Sequence, residues 1–202
     1  MDDAQPVRRT QAERRAEAKR RVLDAAMSLV AVHGSRSVSL AAVGEAAGYS
    51  RGIVNHHFGT RAQLLKALIE YTQQFEVPGN AVLGLDRVTD FVRAYLGGMH
   101  QRSPRSEAFL KLWAESAGAE SSLAPLFAER DAAFRQVLED HVRTGLADGS
   151  IRSDVDPATT AVALIGLLRG TAMLMFTTAR EISAADLSTD VSRGVAMSLA
   201  AP

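Results

Sequence analysis

Apolar residues recur at helical spacing along nearly the whole of this chain, and no stretch alternates apolar with polar residues as a half-buried strand does. That pattern restricts the fold class to all-α. Val22, Ala25, Ala26, Leu29 and Val30 repeat at i, i+3, i+4, i+7 and i+8, which predicts a first helix from about Gln11 to His33, closed by Gly34 in a left-handed conformation. Two helices of about seven residues follow, separated by Ala47-Gly48-Tyr49. Ser39 and Ser50 are their expected N-caps, and Gly48 supplies the positive φ of a tight turn. Helices this short are unstable alone, so Leu40, Val43, Ala47, Tyr49, Ile53 and Val54 are expected to pack on the long helix. Thr60 and Gln63 form a capping box that opens a fourth helix, with Leu64, Leu65, Leu68 and Ile69 inward, running to about Phe75 before Pro78-Gly79-Asn80.

Beyond that break lies a larger helical bundle. One stripe runs from Val88 to Met99 and is stopped before Ser103-Pro104; further helices are expected over about 106–117 and from Pro125 to about Leu146. Asp156-Pro157 combines an N-cap acid with a proline suited to the first helical position. The helix it starts is apolar on every side, so it must be covered on more than one. Arg169 divides the run into pieces of roughly a dozen residues, too short to span a bilayer, and no membrane partner is expected. A last helix begins at Ser183. The two terminal helices are read as a four-helix interface between two copies of the chain, through Leu164, Leu167, Leu168, Gly170, Met175, Leu187, Val191 and Val195. About nine helices result: an N-terminal three-helix domain over 1–58, a connecting helix over 59–76, and a body over 77–202.

Composition removes other classes. The 202 residues include no cysteine, which excludes thiolate metal sites, disulfide frameworks and thiol nucleophiles. The opening MDDAQPVRRT lacks the apolar run of a signal peptide, so the cytoplasm is the expected compartment. A formal net charge of zero hides an asymmetry. The first 70 residues carry 11 Lys and Arg against 7 Asp and Glu, and the remaining 132 carry 12 against 16. A basic head on an acidic body suits an anionic polymer at the head.

Helix, glycine turn and helix between Ser39 and His57 have helix-turn-helix spacing, with Val43, Ala47 and Val54 inward. The second helix would lie in a major groove, presenting Ser50, Arg51, Gly52, Asn55 and His56 to base edges: Arg51 bidentate to guanine, Asn55 to adenine, Gly52 allowing close approach. The stretch from about Arg14 to Tyr71, above all AAGYSRGIVNHHFGTRAQLL, resembles the DNA-binding domain of the TetR family of bacterial transcriptional regulators. It shares the alanine-glycine turn, hydroxyl cap, short recognition helix, His-x-Phe and basic residue before the fourth helix. The chain departs from the family pattern at Asn55, where a phosphate-contacting tyrosine is usual, at Gly44, where alanine is usual, and at Arg61, which replaces a lysine and keeps its charge. Phosphate contacts are expected from Arg14, Arg15, Ser39, His57, Thr60, Arg61 and Lys66, with the Arg8-Arg9 pair reaching toward the backbone or minor groove.

The resemblance implies a dimeric regulator of a palindromic DNA operator, most often a repressor released by a small molecule. Candidates to line a pocket for an apolar or aromatic effector are Phe91, Tyr95, Met99, Phe109, Trp113, Phe127, Phe134 and Met173, with His100 or Glu115 as polar anchor. On residues alone a helical enzyme or a non-DNA-binding adaptor stays open. No catalytic set is apparent, no cofactor is implied, and no metal site is expected. His56 and His57 point about 100° apart on a helix and lack a third ligand at metal spacing.

Overall fold

Helices begin here where a short polar side chain can take up the free N–H groups of a first turn. The computed structural model describes residues 10–73, 77–100, 103–118, 121–177 and 183–202; the expected arm contacts of Arg8 and Arg9 lie outside them. Nine α-helices occur among the described residues: α1 (Gln11–His33), α2 (Leu40–Ala47), α3 (Arg51–Phe58), α4 (Arg61–Thr72), α5 (Gly84–His100), α6 (Pro104–Ser116), α7 (Ala124–Asp148), α8 (Pro157–Thr177) and α9 (Ala184–Leu199). A 3-10 turn, Ser35–Ser37, separates α1 from α2.

Thr60 and Gln63 form the expected capping box, with the Thr60 N–H donating to Gln63 Oε1 at 2.8 Å. Asp156 Oδ1 accepts from the Thr159 N–H at 2.9 Å and starts α8. Thr10 and Glu13 make a second capping box at α1. Ser103-Pro104, expected only as a stop, also starts α6: Ser103 Oγ accepts from the Ser106 N–H at 3.3 Å, and Pro104 sits where no donor is required. Gly34 closes α1 with φ 77° and ψ 179°, an extended form open to glycine rather than the left-handed helical one. The described part of α4 ends at Thr72, and the expected end at Phe75 falls outside the described residues.

The head is built on α1, against which α2, α4 and, from the body, α6 all pack. In the body α5 lies against α7, α8 and α9, and α7 runs along α8. Its interior is aromatic: the Phe134 ring stands 5.2 Å from Phe91 and 5.9 Å from Tyr95, and Phe109 stands 6.2 Å from Phe127. These residues and Met99, all candidates to line an effector pocket, are buried in the core of the body. Trp113 and Met173 are half-buried beside that core. The His100 side chain lies outside the described residues.

By length and composition α8 could cross a bilayer, yet it lies against α5 and α7. Leu164, Leu168 and Ala172 face inward, and Val195 of α9 is buried too. Leu164, Leu168 and Val195 are therefore core of their own protomer and not available to a partner, because an all-round apolar helix gives no stripe by which sequence can tell its inner side. The outer side carries Val162, Leu167 and Leu174, with Leu174 61% exposed. Gly170 is exposed there, while Met175, Leu187 and Val191 are half-buried at its edges. A short antiparallel bridge between Ile151 and Ala200 ties the end of α9 to the α7–α8 loop.

Candidate nucleic-acid interface

The reading head depends on a turn that two glycines make possible. Gly48 adopts φ 74° and ψ 29°, the left-handed region that glycine enters without a Cβ penalty. The chain then doubles back so closely that a Cβ on Gly44 would stand 2.8 Å from the Tyr49 carbonyl oxygen and 3.2 Å from the Ser50 carbonyl carbon. Alanine, usual at this position in the resembled family, would push backbone against backbone. The Tyr49 N–H donates to the Gly44 carbonyl at 2.7 Å, and Arg21 of α1 lies over the Tyr49 ring at 5.3 Å. Ser39 Oγ caps α2 by accepting from Ala42 N–H, and Ser50 Oγ caps α3 by accepting from Ile53 N–H.

Val54 is fully buried beneath α3, and Arg51, Gly52, Asn55 and His56 are exposed on its other sides with Ser50 at its start. The Arg51 and Asn55 side chains have no hydrogen-bonding partner among the described residues, so all their donors remain available. Ile53, expected to pack inward, is instead 40% exposed, because a helix of eight residues has room to bury one line of side chains and Val54 occupies it. An exposed isoleucine among polar neighbours is a group that can meet a thymine methyl, and the sequence reading missed it.

The phosphate candidates divide. Arg14 and Arg15 are exposed on the first turns of α1, and Thr60 is exposed at the start of α4. Ser39 is exposed at the start of α2 as a cap. His57 is half-buried, its Nδ1 enclosed without a partner. Burial, with the nearby His56, Arg15 and Lys19, lowers its pKa below the ordinary imidazole value, so the ring is neutral at neutral pH. Two candidates are drawn away from DNA. Arg61 donates from Nε to the Val38 carbonyl at 2.7 Å and from Nη2 to the Ser35 carbonyl at 2.8 Å, bracing the loop between α1 and α2. Lys66 turns toward the body and pairs with Glu129 of α7 at 2.6 Å.

Head and body are joined by further polar ties. Lys111 of α6 donates to the Ala31 carbonyl and, at 3.2 Å, to that of Val32, taking up free carbonyls at the end of α1. Glu115, expected as a pocket anchor, instead accepts from the Ser35 N–H, 3.2 Å from each carboxylate oxygen. Tyr71 of α4 donates to Asp24 of α1 at 2.7 Å. A cavity of about 640 Å³ lies at this boundary, lined by His33, Arg36, Arg61, Glu115 and Ser121 among others.

With this geometry in place, the comparisons with known proteins are decisive. Residues 22–68 match the family described as bacterial regulatory proteins, tetR family, and residues 84–200 match the BetI-type transcriptional repressor C-terminal family. The chain belongs to the TetR family of transcriptional regulators. The HTH-type transcriptional regulator SrpR of Pseudomonas putida is 27% identical over 157 residues, covering 76% of this chain and 73% of that protein. CymR of Pseudomonas putida is 42% identical over 66 residues, 33% of this chain and 32% of that protein. The structure of a TetR-family transcriptional regulator from Rhodococcus sp. superposes with a TM-score of 0.76 at 26% identity, covering 90% of this chain and 98% of that one. This TetR-family chain is thus a DNA-binding regulator rather than an enzyme.

Two measurements check the local argument. Gly44→Ala raises helix propensity yet is expected to lower stability by about 1–3 kcal/mol through the backbone clash, read by thermal denaturation; a higher melting temperature would refute the clash. Arg61→Met is expected to lose about 2 kcal/mol of stability while leaving the slope of log affinity for DNA against log salt unchanged. A slope flattened by about one unit would return Arg61 to the phosphates.

Proposed function

We propose that this TetR-family regulator is a repressor that binds a palindromic operator as a homodimer and is released by a small apolar or aromatic effector. The observation that carries the DNA-reading part is the α3 surface, where Arg51 and Asn55 stand exposed with unspent hydrogen-bonding groups on a helix held from beneath by Val54. In the major groove Arg51 pairs with guanine O6 and N7, Asn55 with adenine N6 and N7, and Ile53 covers a thymine methyl, with Gly52 and His56 alongside. Arg14, Arg15, Ser39, His57 and Thr60 set the head on the phosphate backbone. Arg61 acts through the loop it braces.

The outer side of α8 supports the dimer. Val162, Leu167 and Leu174 form an uncovered apolar stripe, and Met197 of α9 is 77% exposed. The positions where Gly166 and Gly170 would carry a Cβ face open space, so a partner helix can approach closely. Two heads fixed by that contact read half-sites about 34–36 Å apart, and binding depends on keeping this spacing. An effector in the body that tilts α4 or α6 changes the spacing through the ties at Lys66, Lys111 and Glu115. A coupling of about 1–3 kcal/mol is enough for a several-fold to hundred-fold loss of operator affinity.

Arg51→Ala is expected to cost about 1–3 kcal/mol against the operator and far less against random DNA, measured by fluorescence anisotropy on both; equal losses would make it a phosphate contact. Leu174→Glu is expected to give a folded monomer by sedimentation with weakened operator binding. A persistent dimer would place the interface elsewhere.

A further inference from the structure

Arg169 is the one charged residue of α8, and the fold carries it inward, leaving the residue 6% exposed. Its Nη1 donates to Asp131 Oδ2 of α7 at 2.7 Å, and Nη2 donates to Oδ1 of the same carboxylate. The guanidinium carbon lies 5.4 Å from the centre of the Trp113 ring. Tyr95 is buried nearby, close enough for the Arg169 charge to act on its phenol. Burial pushes the Tyr95 phenol up to about 12 against the opposing pull of Arg169, so the hydroxyl keeps its proton and can donate. Stability alone does not explain the group. A buried ion pair is commonly no better than well-packed apolar side chains of the same volume, and every neighbour of Arg169 along α8 is uncharged.

The pair is also unequal. Arg169 is enclosed, its side chain 7% exposed, whereas that of Asp131 is 33% exposed at the margin of the core, where it can turn out to water. Arg169 Nε is buried and makes no hydrogen bond, so the pair with Asp131 leaves that side of the fork unused. Arg130, next to Asp131, lies over the Phe134 ring and lines a separate cavity of about 150 Å³ between α4 and α7, together with Lys66, Ile69, Glu70, Leu126, Glu129 and Ala133.

We propose that Arg169 is the anchor for an effector carrying a carboxylate on an aromatic or short aliphatic body, and that Asp131 holds the ligand's place until it arrives. The ligand carboxylate takes over the guanidinium fork, Tyr95 donates to it, Trp113 flanks it, and Asp131 turns to solvent. Charge is conserved at the site, since one anion replaces another on Arg169. Asp131 lies two residues from Glu129, whose pair with Lys66 joins α7 to α4, so the exchange acts on the helix that carries the head. A cationic ligand is disfavoured: Arg169 and Arg130 already occupy the ring faces of Trp113 and Phe134. The inference rests on the effector-released regulator proposed above.

Trp113 is the single tryptophan of the chain, so its emission reports on the site directly. The full-length protein is titrated with benzoate and hexanoate, with benzamide and hexanamide, and with benzyltrimethylammonium, all at constant ionic strength. Operator anisotropy is followed in parallel. At least one acid is expected to saturate at about 1 mM or below and to weaken operator binding, while its amide and the cation do neither. Asp131→Asn removes the competing charge and is expected to bind that acid about tenfold more tightly, a shift of about 1.4 kcal/mol. Arg169→Gln is expected to abolish the response, and Asp131→Asn decides the matter should Arg169→Gln fail to fold. Equal binding of acid and amide, binding of the cation, silence toward both acids, or an Asp131→Asn affinity no higher than wild type would each overturn the proposal. Wild-type operator binding without acid keeps the two readings apart: if it holds while the acids are silent, only this inference falls, and if it is missing, the regulator reading beneath it falls.

Discussion

A helix of eight residues does not hold together in water, and the reading head is made of two of them. Both α2 and α3 exist because Val43, Ala47 and Val54 are withdrawn from water against Val22, Ala26 and Val30 of α1 and Leu64, Leu65 and Leu68 of α4. Burying one line of side chains on α3 leaves the rest of its surface outside, with Arg51 and Asn55 exposed on it. Its caps at Ser50 and Gly59 fix its ends, and Gly44 lets α2 and α3 meet with no side chain between them. Recognition surface and fold are therefore one problem in this head: any change that loosens the contact with α1 also blurs the positions of Arg51 and Asn55.

The junction with the body obeys different physics. Lys111, Glu115, Tyr71 and Lys66 make directional bonds to the head or to α4, and several of these groups stay partly in water. Such bonds contribute modestly because water replaces them at little loss, whereas the aromatic core around Phe134 cannot be opened so cheaply. These bonds lie around the apolar contact of α6 with α1, so the boundary combines a buried seam with polar ties that water can exchange.

Much of this was legible in the sequence, and the division is physical. Caps at Ser39, Ser50, Thr60, Asp156 and Ser183 depend on atoms three residues away, so sequence contains the whole interaction. The partners of Arg61, Lys66 and Glu115 lie 26, 63 and 80 residues distant, and a charged side chain bound for a phosphate looks the same in sequence as one bound for a carbonyl. Ile53 and Val54 are neighbours of one character, and only packing decides which is inside. Leu164 and Leu168 could not be told from Leu167 and Leu174 on a helix apolar all round. Arg169 did leave a trace: a lone charge in such a run must be either solvated or paired, and here it is buried and paired with Asp131.

Three successive ionisable residues of α7 point in three directions because each step of a helix turns about 100°. Glu129 goes outward to Lys66 of α4, Arg130 lies over Phe134, and Asp131 goes inward to Arg169 of α8. One turn of α7 is thus at once a wall of the core and the attachment of the helix that bears the head. The outward pair is exposed and weak, so α4 is guided by it rather than locked to it, while the inward pair is enclosed and strongly favours one partner geometry. Coupling between two such sites is reciprocal, so a change at either pair is felt at the other through this turn of helix. What differs is the cost of breaking each pair: small for the exposed one, which water replaces, and large for the one whose guanidinium is buried.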